Sequence, residues 1–148
     1  IATMMFAVLG YLNSNEAVLA ALRNVRKHMR LGGLLAFDCW YGPAVLTTRP
    51  EDRVRVVGGR EDQTIRAAST VIDSFRHIAH VTFRLWSVAG SRYLGFSEET
   101  HKMRYFFPQE LALLLDSAGF DLRSIERFPD GGAPSEESWN VFCIATAK

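Results

Sequence analysis

Hydrophobic residues along the chain change their spacing twice. Thr3 to Leu9 is a continuous apolar run of strand length, the pattern of a strand covered on both faces. Val18, Leu22, Val25 and Met29 then recur at helical intervals and form one apolar stripe. Asn13, with Glu16 three positions on, reads as the helix start. Arg26, Lys27 and Arg30 place positive charge near its C-terminal end, where the helix dipole favours it. Gly32-Gly33 ends the helix and Leu34 to Phe37 is a second apolar strand, closed by "DCWYGP". The order strand, helix, strand predicts a parallel βαβ unit.

The period shortens in the middle. Arg53 to Val57 alternates, and Gly58-Gly59 interrupts it. Thr64 to Asp73 and His77 to Val88 read as long strands, and Arg92 to Phe106 returns after a turn at Ala89-Gly90-Ser91, with a break at Gly95. These are antiparallel strands inserted in an α/β chain. The helical period resumes after Phe107-Pro108, where proline suits the first helical position. Leu111, Leu114, Leu115 and Ala118 form the stripe and Gly119 ends it. Phe120 to Phe128 and Trp139 to Ala147 read as strands joined through the loop "DGGAP".

Composition narrows the function classes. The chain has 148 residues, 48% hydrophobic, with a net charge of +1. One globular domain is the expectation at this length. The balanced charge gives no reason to expect nucleic acid or an acidic membrane as partner, and the apolar run at Met4 to Leu9 is too short to span a bilayer. Cys39 and Cys143 lie in apolar runs without zinc or redox spacing, so they read as buried free thiols in a reducing, cytoplasmic setting. His77 and His80 fall three apart on one expected strand and so on opposite faces; no metal site is expected.

Three stretches carry a resemblance: "MMFAVLGYL", "HMRLGGLLAFDCWYGPAV" and "FSEETHKMRYFFPQELALLLDSAGF". Their order resembles the C-terminal portion of class I S-adenosylmethionine-dependent methyltransferases, in particular the N,N-dimethyltransferases of nucleotide-linked deoxyamino sugars. The resemblance implies the α/β fold of a Rossmann-like methyltransferase sheet. Thr3–Leu9 would be strand four, Leu34–Trp40 strand five, Phe120–Phe128 strand six and Trp139–Ala147 strand seven. It divides a single, incomplete methyltransferase domain into a βαβ unit (1–50), an inserted antiparallel sheet (51–106) and a helix with a C-terminal hairpin (107–148).

In that family a glycine-rich cofactor loop follows strand one, and both lie ahead of the equivalent of Ile1. No glycine pair here lies between a strand and a helix start. The resemblance therefore predicts that the chain is part of something longer, that alone it binds S-adenosylmethionine weakly or not at all, and that it is inactive alone. An apolar strand-four edge left open would favour a homodimer.

The candidate residues follow from the same placement. Met5, Phe6 and Ala7, at the expected end of strand four, would lie beside the cofactor, because ligands of open α/β sheets bind beyond the carboxyl ends of strands. Tyr11 follows in the loop, where its hydroxyl would meet the acceptor. Trp40 and Tyr41 end strand five and offer aromatic walls for a small-molecule acceptor. His101, at the family's histidine position after Phe96-Ser97, is the candidate general base, or else a histidine bonded within its strand. Arg104 would meet a phosphate, or else lie solvated on its strand. Methyl transfer needs alignment and a dry site more than a strong dyad, and the expected acceptor atom is an amine nitrogen, with a hydroxyl- or carboxylate-directed enzyme, or a truncated or degenerate non-catalytic module that self-associates or binds a partner, as the alternatives.

Overall fold

The computed structural model describes residues 1–59 and 61–148. Its elements run β1 (Ala2–Met4), a 3-10 turn (Val8–Tyr11), α1 (Asn15–Lys27), β2 (Leu34–Tyr41), α2 (Gly42–Thr48), β3 (Arg53–Gly58), β4 (Gln63–Asp73), β5 (Ile78–Ala89), β6 (Arg92–Phe106), α3 (Pro108–Ser117), β7 (Phe120–Arg127) and β8 (Asn140–Ala147).

The strands form one mixed sheet in the order β3-β4-β5-β6-β2-β8-β7, with β1 also on β2. β8 runs antiparallel between β2 and β7. With β8 along one edge of β2, two parallel partners divide the other. β1 pairs from Ala2↔Leu35 to Met4↔Phe37, and the end of β6 pairs at Trp40↔Tyr105 and Tyr41↔Phe106. This arrangement carries the inserted antiparallel strands over the C-terminal end of β2.

The core lies between α1, α3 and one sheet face. Leu35, Phe37 and Cys39 of β2 alternate inward beside Val141, Cys143 and Ala145 of β8, and all six are buried. Val18 and Leu22 of α1 and Leu111 and Leu115 of α3 close it from above. The cysteines are free and buried. Hydrogen bonding with Cys143 and burial raise the Cys39 thiol well above its ordinary value.

Three local expectations need correction. The first strand stops at Met4, not Leu9: Phe6 and Ala7 have φ of 67° and 54°, which turns the chain out of the sheet. Apolar character in Phe6 to Leu9 therefore reflects two different environments, since Phe6 is exposed and Leu9 is buried. The cap of α1 is Ser14, whose Oγ accepts the Ala17 N–H at 3.2 Å. Asn13 is already engaged, donating from Nδ2 to the Tyr11 carbonyl at 2.6 Å. Helix α2 starts within the closing "DCWYGP" and runs on through residues to which the pattern assigned no element; seven residues are too few for a readable helical period. Near Gly95 the β5–β6 register does shift, with Ser87 opposite Gly95 and Val88 opposite Tyr93. Among the described residues, no helix is long and apolar enough to cross a membrane.

Candidate functional site

The left-handed pair Phe6-Ala7 follows β1 at its C-terminal end and leads into the 3-10 turn. Two non-glycine residues in this region cost about 1–2 kcal/mol each. Asp38 offsets part of that cost. This buried residue of β2 accepts the Ala7 N–H on Oδ2 at 3.0 Å. Gly10 holds the far side of the turn against β6. An ideal Cβ there would stand 2.9 Å from the Arg104 carbonyl, so the close approach needs glycine.

Held in this way, the turn faces the inserted sheet. Val81 and Phe83 of β5 and His101 and Met103 of β6 meet Phe6, Ala7, Tyr11 and Trp40 around a cavity of about 220 Å³. Tyr11 Oη lies 3.1 Å from His101 Nδ1. The other ring nitrogen, Nε2, lies 3.3 Å from Glu99 Oε1. Glu99 and His101 are two apart on one strand and so share a face. A proton on Nε2 facing Glu99 leaves Nδ1 free to accept the Tyr11 hydroxyl. The Phe83 ring meets the imidazole edge-on at 5.5 Å.

The structure thus brings together Phe6, Ala7, Tyr11, Trp40 and His101. Met5 and Tyr41, both half-buried, do not line this cavity. Tyr41 packs on the core, and its N–H donates to the Trp139 carbonyl at 2.9 Å. Arg104 sits on the opposite face of β6 from His101, three positions on. It is buried rather than solvated, and its Nη2 donates to Asn15 Oδ1 and Glu110 Oε1, each at 2.5 Å. It therefore ties α1, α3 and β6 together. His77 packs against Tyr105 and Phe107, and the described residues contain no group of three metal-type ligands.

Sequence reasoning missed Asp38, Glu99, Val81, Phe83 and Met103. Asp38 left a signal, an acid inside an apolar strand run, and Glu99 left one in its spacing from His101. The other three look like ordinary strand residues.

No family model and no curated protein matches this sequence. Solved structures do. An S-adenosylmethionine-dependent methyltransferase from Clostridium acetobutylicum superposes with a TM-score of 0.79 at 11% identity, over 98% of this chain and 56% of its own. An amino pentose methyltransferase of calicheamicin biosynthesis from Micromonospora echinaspora, solved with S-adenosylmethionine bound, has a TM-score of 0.74 at 15% identity, over 99% of this chain and 57% of its own. A sugar N-methyltransferase from a Streptoalloteichus species has a TM-score of 0.72 at 15% identity, over 96% and 55%. The chain shares the Rossmann-like α/β fold of these methyltransferases and spans a little over half the length of their chains.

Proposed function

We propose that this chain forms the acceptor-facing part of an S-adenosylmethionine-dependent methyltransferase acting on the amine of a small molecule, with an amino sugar as the favoured acceptor. One observation carries the reading. Residues from β2, the turn after β1 and the inserted sheet converge on a cavity whose polar end is Tyr11 and His101, with Glu99 beside the other imidazole nitrogen. The fold likeness supplies the reaction class.

Phe6 fits a cofactor wall: the residue is 91% exposed although its backbone is held in a costly conformation, so the fold itself gains little from it. Met5, Phe6 and Ala7 would hold the adenosyl and methionyl side of the cofactor. Among the described residues, the glycine pairs at 32–33, 58–59 and 131–132 join a helix to a strand or two strands, so none forms a strand-to-helix phosphate-type loop. In this reading the rest of the cofactor site lies outside residues 1–148. S-adenosylmethionine supplies an electrophilic methyl group when bound.

The chain's own residues orient the nucleophile. Tyr11 Oη accepts a hydrogen bond from the acceptor N–H, which aims the nitrogen lone pair. After transfer the surplus proton on nitrogen passes to Tyr11 as Tyr11 gives its own to His101 Nδ1. Glu99 stabilises the resulting imidazolium. Trp40, Val81 and Phe83 keep water from the reacting atoms. In this reading the setting is cytoplasmic, consistent with two free thiols, and residues 1–148 alone form a homodimer that covers the β1 edge opposite β2.

Methyl transfer by the longest product of the same gene, followed by mass spectrometry with paired amine and hydroxyl acceptors, tests the reading. We expect N-methylation, with kcat reduced by roughly 100-fold in His101→Ala and Tyr11→Phe. Calorimetry should show S-adenosylhomocysteine binding to that product and weak or no binding to residues 1–148 alone. Binding to neither, or unchanged kcat in both variants, overturns it. O-methylation alone would move the acceptor class.

A further inference from the structure

A second cavity of about 460 Å³ lies beside the first, and Trp40 and Val81 line both. The smaller cavity alone is under the ~300–1,000 Å³ usual for a small-molecule pocket. The two share a floor on one face of the inserted sheet. His101, Val81 and Thr70 stand opposite one another across β6, β5 and β4. Glu99, Phe83, Ala68 and Arg53 form the next row and reach β3. Residues directly opposite share a face, so the trough runs across four strands, about 14 Å at ~4.8 Å per step.

The far end has a distinct chemistry. Trp139 stands edge to face with Trp40, with centroids 5.3 Å apart, and forms an apolar corner. Around it lie Arg49, Arg53, Glu51 and Glu137, two charges of each sign. That set offers paired donors and acceptors with no net charge. A phosphate or carboxylate would meet two carboxylates there, whereas vicinal hydroxyls can give to one side and accept from the other. A ring with an apolar face and hydroxyl edges matches both features.

We infer that the second cavity is a subsite for a second, uncharged sugar ring. The acceptor is then an amino sugar linked to another ring, with its amine at Tyr11 and the second ring on Trp139. This rests on the methyltransferase reading only for the role of the first cavity.

Tryptophan fluorescence titration of the longest product of the same gene tests it, with glucosamine, glucosamine β-1,4-linked to glucose (the dimer) and uridine diphosphate glucosamine as probes. The dimer should bind about tenfold more tightly than glucosamine, and more tightly than the nucleotide sugar. Trp139→Leu and Arg53→Ala should each bring the dimer-to-monomer ratio toward one, and Trp139→Phe, the safer variant for folding, should keep most of it. Equal affinity for monomer and dimer, tightest binding of the nucleotide sugar, or no response to any probe overturns the subsite. Dimer binding without methyl transfer by the longest gene product would sink the enzyme reading and leave the subsite standing. Efficient methylation of the monomer and dimer alike, with equal affinities, would do the reverse.

Discussion

Asp38→Ala should loosen the turn that carries Phe6, Ala7 and Tyr11. The carboxylate accepts the Ala7 N–H at 3.0 Å inside the protein, so it is a hydrogen bond with a charged acceptor in a buried setting. Such a bond contributes about 1.5–3 kcal/mol, and its loss leaves a buried donor without a partner. The left-handed conformations of Phe6 and Ala7 oppose the turn by about 1–2 kcal/mol each, so nothing intrinsic to those two residues would keep it in place. The expected loss is about 2–3 kcal/mol for Asp38→Ala. Asp38→Asn keeps a carbonyl acceptor and loses only the charge assistance, so about 1 kcal/mol is expected. Urea unfolding read by far-ultraviolet circular dichroism would show the difference as a shifted midpoint at constant slope. Hydrogen exchange at the Ala7 amide supplies the local readout, since protection there should fall in the alanine variant. If Asp38→Ala stays within about 0.5 kcal/mol of the parent and Ala7 keeps its protection, Asp38 does not hold the turn.

Two further outcomes are expected. Tyr105 is buried, its hydroxyl has no hydrogen-bond partner, and burial first, then Asp73 and Glu110, raises its ionisation above the ordinary phenol value. A raised folded value means stability is fully present below the unfolded value near 10 and declines as pH climbs from there through the folded one. Tyr105→Phe should flatten that alkaline decline and raise neutral-pH stability by about 1 kcal/mol, and a steeper decline in the variant would refute the assignment. Gly10→Ala should destabilise by about 1–3 kcal/mol, because its Cβ would press on the Arg104 carbonyl, and it should move Tyr11 away from His101. Unaltered stability together with an unaltered His101 imidazole resonance would show that the contact is not tight.

Much of the architecture was legible in local pattern. The stripe Val18, Leu22, Val25, Met29 marked α1, Pro108 and Gly119 bracketed α3, and the long alternating segments marked β4, β5 and β6 to within a residue or two. Periodicity is a property of neighbouring residues, so it survives without knowledge of the rest of the chain. The resemblance added the assignment of four segments to strands four to seven of a Rossmann-like sheet. It also singled out Tyr11 and His101, 90 residues apart in sequence.

Tertiary structure alone decided how those residues act on one another. Whether Tyr11 reaches His101 depends on two left-handed residues, on a buried carboxylate thirty-one residues downstream, and on a register that sets β6 against the end of β2. Arg104 shows the same point from the other side. Three positions from His101 in sequence, it faces the opposite way because a strand alternates, and it serves a buried network in place of the cavity. Phe6 read as the end of a strand beside the cofactor, and pattern did not show the turn, because an apolar residue looks the same whether it sits in a strand or stands exposed on a strained turn. Sequence pattern records which residues are apolar, whereas the sheet's long-range pairing decides which of them meet.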